Sequence, residues 1–96
     1  MDEVIHLYVA KGSATPDNPR FEAGAQQGLL VFVNPALVVS DTQMAVYAER
    51  AGWADLELFQ KGTISRALVE EKGDPHLSAW LDARREGMAV IVYREE

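Results

Sequence analysis

The chain contains no cysteine. That removes a disulfide framework, a catalytic thiol and every thiolate metal site. Long apolar runs are missing too: the longest, Leu29-Leu30-Val31-Phe32-Val33 and Met88-Ala89-Val90-Ile91-Val92-Tyr93, fall far short of the roughly 20 residues that span a bilayer. Positive charge is scarce, with nine Lys and Arg against fifteen Asp and Glu, a net charge of −6. The basic residues are scattered, and only Arg84 and Arg85 are adjacent. Such a balance repels phosphate backbones and anionic membrane surfaces, so neither a nucleic acid nor a membrane is expected as partner. Met1-Asp2-Glu3 leads straight into a strand-like segment, without the basic and apolar regions of a signal peptide. The expectation is a cytoplasmic protein.

What is present suffices for one core. The hydrophobic fraction is 48% over 96 residues, the size and composition of a single domain spanning residues 1–96. Val4-Ile5-His6-Leu7-Tyr8-Val9-Ala10 is β-branched and aromatic, a strand ending at Lys11-Gly12-Ser13. Residues 12–20 carry loop chemistry, within which Asn18-Pro19 has the form of a helix start reaching Gln27 before Gly28. The unbroken apolar run after Gly28 suits a strand covered on both faces, stopped by Asn34-Pro35.

Ser40-Asp41-Thr42-Gln43 has capping-box spacing. It opens a helix with Met44, Tyr47, Ala48 and Ala51 on one face, and Gly52 stops it. Leu56 and Leu58 alternate with Asp55 and Glu57 as in a strand with one wet face, and Lys61-Gly62-Thr63 follows as a loop. Thr63 or Ser65 caps a short helix with the stripe Ile64, Ala67 and Leu68, stopped by Gly73. Asp74 as N-cap and Pro75 at the first helical position start another, with Leu77, Trp80, Leu81 and Arg84 on a shared face, ending at Gly87 before the final strand.

The element order is therefore β-(α)-β-α-β-α-α-β. It implies the α/β class with a single four-stranded mixed sheet and three to four helices. If residues 12–27 are only a loop, the first two strands form a long-looped hairpin and the class is α+β. The two Lys-Gly-Ser/Thr triplets, each followed by a helix candidate, a glycine and an apolar strand, raise an internal duplication as one option against shared punctuation. The order is similar to that of small bacterial α/β and ferredoxin-like domains, and no motif narrows it further.

No catalytic set assembles in the sequence. His6 shares strand parity with Tyr8, an acid–base pair in principle, though lining the less-buried face of the sheet accounts for both. His76 stands in the first turn of a helix, where the macrodipole disfavours imidazolium. The two histidines have no metal-ligand spacing. The pairs Asp55/Glu57, Asp82/Glu86 and Glu70/Glu71 do not single out an acid and a base, and no G-x-S-x-G elbow occurs. No metal and no cofactor is expected.

Two functional readings follow. The leading one is a non-catalytic protein-interaction module of the adaptor, regulatory or inhibitor and immunity kind. It would use Arg20 and Phe21 from the long loop with Asp41, Glu49, Trp53, Asp55 and Glu57 from the acidic quarter, and self-association as a homodimer is a variant of it. The competing one is a small anion-binding or enzymatic domain. Lys11, Gly12, Ser13, Lys61, Gly62 and Thr63 at strand ends would cradle a phosphate or carboxylate, with His6 or Tyr8 nearby.

Overall fold

The structure is a computed structural model, and it describes residues 5–93. Val4 and the tail Arg94-Glu95-Glu96 lie outside the described residues. The elements are β1 (Ile5–Ala14), β2 (Gln26–Val33), α1 (Asp41–Arg50), β3 (Trp53–Ile64), α2 (Arg66–Lys72), α3 (His76–Glu86) and β4 (Met88–Tyr93). The four strands form one sheet in the order β3-β1-β2-β4, and every neighbouring pair is antiparallel. The fold is α+β with three helices among the described residues.

The mixed sheet inferred from the sequence is corrected here, and its cause is the segment after β1. Asn18 does accept from the backbone N–H of Phe21, three residues on, in the manner of an N-cap. No helix follows. Asn18 also spends its amide on the carbonyl of Gly52, and Gly24 adopts φ +86°. The segment is a tethered loop, so β1 and β2 return as an antiparallel pair instead of a parallel crossover.

Helices cover both faces of the sheet. On the first face Ala10, Leu29, Val31 and Val33 pack with Met44 and Ala48 of α1 and with Trp53. On the second, Ile5, Phe32 and Ile64 pack with Val69 of α2 and Ala79, Trp80 and Ala83 of α3. This explains the unbroken apolar run of β2: it is an inner strand buried from both sides.

The caps of α1 and α2 follow the sequence, and the start of α3 does not. The Ser40 hydroxyl accepts from the Gln43 amide, while the Gln43 side chain accepts from Val39 N–H. Ser65, not Thr63, caps α2 by accepting from Leu68 N–H. Asp74 is not the N-cap with Pro75 at the first helical position: Pro75 itself is the N-cap and α3 begins one residue later at His76. Asp74 Oδ1 accepts from the amide and hydroxyl of Ser78, four residues on, whereas an N-cap side chain accepts from an amide two or three residues on. The buried stripes are shifted: Val69 instead of Leu68 on α2, and Ala79 and Ala83 instead of Leu81 on α3. Small residues there let α3 lie close to the sheet while Trp80 fills the remaining space.

β3 is longer than its sequence pattern implies. It runs through Lys61-Gly62-Thr63, as β1 runs through Lys11-Gly12-Ser13. Neither triplet is a strand-end loop. They lie on neighbouring antiparallel strands, not in two repeated strand–helix–strand units. No helix among the described residues is long and apolar enough to cross a membrane.

Candidate functional site: the groove between α1 and β3

β3 is an edge strand with an irregular register. Val9 pairs with Gln60 but Ala10 with Leu58, leaving Phe59 as an extra residue. Lys11 pairs with Glu57 but Ser13 with Ala54, so Asp55 and Leu56 stand opposite Gly12 alone. These are β-bulges, which bend an edge and blunt it against open-ended strand pairing. Gly12 permits the second one: a Cβ there would lie 2.9 Å from Leu29 Cδ1 and 3.1 Å from Leu56 Cδ2. Asp55 takes φ +53°, a left-handed conformation, and no other non-glycine among the described residues has positive φ.

The bulged strand and α1 enclose a groove of about 420 Å³. Its walls include Met44, Ala45 and Ala48 from α1 and Trp53, Leu56 and Leu58 from β3. Asp41 and Asp55 contribute its carboxylates. Neither carboxylate has an ion-pair or hydrogen-bond partner among the described residues. Leu58 is 41% exposed and the neighbouring Phe59 is 59% exposed. The groove is thus apolar inside and carries two uncompensated negative charges.

Of the acidic residues singled out in the sequence, the fold brings Asp41 and Asp55 together with Trp53. Glu57 shares the opposite strand face, beside Lys11, and Glu49 is exposed on α1 outside the groove. Met44, Ala45, Leu56 and Leu58 were legible as helix or strand residues only. Their meeting in one groove depends on where α1 crosses the sheet, which no local pattern encodes.

Arg20 and Phe21 line a different cavity, also about 420 Å³, beside the opposite edge strand β4, with Pro19, Pro75, Val90 and Val92. Phe21 packs against Trp53 at 5.6 Å between ring centroids, and the Arg20 guanidinium lies 5.8 Å from the Phe21 ring. Trp53 borders both cavities and is buried, as is Trp80.

The Lys-Gly-Ser/Thr residues do not converge as one cradle. Lys61 pairs with Tyr8, whereas Lys11 is three residues along β1 and on the other face. The sheet instead gathers Lys61 and Thr63 with His6 and Tyr8, in the register His6–Thr63 and Tyr8–Lys61. The Lys61 ammonium lies 5.7 Å from the Tyr8 ring centroid. Burial, with a smaller contribution from Lys61, holds the His6 imidazole below its ordinary pKa of 6.5. His76 packs edge-on to Phe32. No group of three or more His, Asp or Glu suited to a metal occurs among the described residues.

No protein-family model matches the chain, and neither a curated protein nor a solved structure matches it.

Proposed function

We propose that this chain is a protein-interaction module whose groove between α1 and β3 receives a short segment of another protein, an apolar side chain flanked by Lys or Arg. The observation that carries this reading is the pairing of an apolar groove with two unpartnered carboxylates, Asp41 and Asp55. The net charge of −6 favours a basic partner in the same sense.

The backbone at Asp55 adds support. Left-handed φ costs a non-glycine residue roughly 1 kcal/mol, somewhat less for Asp or Asn. Glycine would meet that demand without steric cost, so backbone geometry alone does not account for a carboxylate there. Local strain at a bulge beside a groove is the kind of feature that marks binding sites.

Magnitudes rank the contributions. Burying one Leu- or Phe-sized anchor contributes roughly 1.5–3 kcal/mol. Exposed ion pairs contribute about 0.2–1 kcal/mol each. The anchor supplies most of the affinity, and the carboxylates supply orientation, partner choice and association rate. The bulges make ladder extension along β3 unfavourable, which argues for side-chain docking over strand addition and against a homodimer through this edge.

The test is a titration with the acetylated, amidated peptide Lys-Leu-Phe-Leu-Arg, followed by amide chemical shifts. Saturable shifts confined to residues 41–48 and 53–58 are expected. Absent or scattered shifts at millimolar peptide would overturn the reading. So would light scattering showing a dimer of the chain alone, with variants at Leu58 dissociating it.

A further inference from the structure

A third cavity, about 300 Å³, lies on the same sheet face as the α1–β3 groove, at the start of α1. One wall is the sheet, carrying His6, Tyr8 and Lys61; the other carries Ser40 and Asp41, with Val38, Val39 and Met44 adding apolar surface. Its volume is at the lower end of the roughly 300–1,000 Å³ typical of small-molecule sites.

The chemistry of the two walls differs. The sheet wall presents donors: the Lys61 ammonium, the Tyr8 hydroxyl and a ring N–H of His6, none hydrogen-bonded to another described residue. Holding His6 neutral leaves it one donor and one acceptor, with no second positive charge beside Lys61. The opposite wall offers the Asp41 carboxylate. Ser40 Oγ already accepts from Gln43 N–H, so its own hydroxyl hydrogen is free to donate. Lys61 and Asp41 line one cavity yet make no ion pair.

From that geometry we infer that the cavity binds a small zwitterion of the aliphatic α-amino-acid class. Its carboxylate meets Lys61, Tyr8 and His6, its ammonium meets Asp41, and its side chain lies against Val38, Val39 and Met44. A simple anion satisfies the sheet wall but leaves Asp41 facing negative charge. A simple amine does the reverse with Lys61. Only a ligand carrying both charges compensates both walls. The cavity shares Asp41 and Met44 with the peptide groove, and His6, Tyr8 and Lys61, which line this cavity alone, set the two sites apart.

The experiment titrates the full chain with L-leucine, with isocaproate (lacking the amine) and with isoamylamine (lacking the carboxylate), followed by amide shifts. Saturable shifts for leucine at His6, Tyr8, Lys61 and Ser40 are expected, with both analogues at least about tenfold weaker, the scale of one lost charged contact. Lys61→Met and Tyr8→Phe should weaken leucine binding while leaving peptide binding in the α1–β3 groove intact. Isocaproate binding as tightly as leucine would overturn the zwitterion assignment. No saturable shift with leucine at 10 mM, roughly the weakest affinity of interest for so small a site, would overturn the site itself.

Discussion

Asn18 ties the long β1–β2 connection to the start of β3, donating its side-chain amide to the carbonyl of Gly52 at 2.8 Å. Its Oδ1 accepts from the amides of Arg20 and Phe21, both at 3.0 Å. A loop of this length would ordinarily be mobile, and the Asn18 side chain, together with the backbone bond from Thr15 N–H to the same Gly52 carbonyl, holds this one so that Phe21 can pack on Trp53. Asn18→Ala should therefore cost about 1–3 kcal/mol in chemical denaturation. It should also make residues 19–24 the first site of limited proteolysis. An unchanged cleavage pattern would show that Phe21 packing holds the loop without Asn18.

Thr15 is buried and its hydroxyl has no partner among the described residues. An unsatisfied buried hydroxyl is unfavourable, and Val has nearly the same shape. Thr15→Val should stabilise the fold by roughly 1 kcal/mol. A lowered denaturation midpoint would mean that the hydroxyl is bonded in solution.

Trp80 donates its indole N–H to the carbonyl of Ile64 at 3.0 Å within the second-face core. The bond joins α3 to the end of β3. Trp80→Phe deletes the donor, leaves the Ile64 carbonyl unpaired and opens a cavity. A loss of about 2–4 kcal/mol is expected. Trp53→Phe, a residue with no indole hydrogen bond to a described group, should cost less.

His6 confers a pH dependence of definite sign. Its folded pKa lies below the unfolded value of 6.5, so the unfolded chain binds more protons in the window between them. Stability then rises with pH through that window, and the contribution is lost as pH falls from about 6.5 through the folded value. Comparing the wild type with His6→Gln between pH 5 and 8 isolates it. The wild type should lose stability relative to the variant on acidification, and parallel curves would contradict the burial of His6.

Local chemistry was the part of the fold that the sequence made legible. Ser40, Ser65 and Gly73 mark helix ends because capping and left-handed stops are decided by one or two residues. Sheet topology was not legible. Residues 15–25 are held as a loop by long-range bonds that local sequence does not encode, from the Asn18 side chain and from Thr15 N–H to the Gly52 carbonyl. The same holds at Lys61-Gly62-Thr63, which has turn-forming composition yet is held extended by pairing with β1. For the groove, Asp41, Trp53 and Asp55 stood out by residue type. Their assembly rests on two bulges that only pairing against Gly12 and Val9-Ala10 reveals.

The most direct test of the central proposal is the affinity of the Lys-Leu-Phe-Leu-Arg peptide for the wild type and for the double variant Asp41→Asn, Asp55→Asn, at low and high salt. Asparagine retains tolerance of the left-handed backbone at position 55, so the fold is preserved while both charges go. A loss of about tenfold at low salt is expected, the sum for two exposed ion pairs, with the two proteins converging at high salt. Equal affinity and equal salt dependence would show that the carboxylates of the groove do not recognise a basic partner.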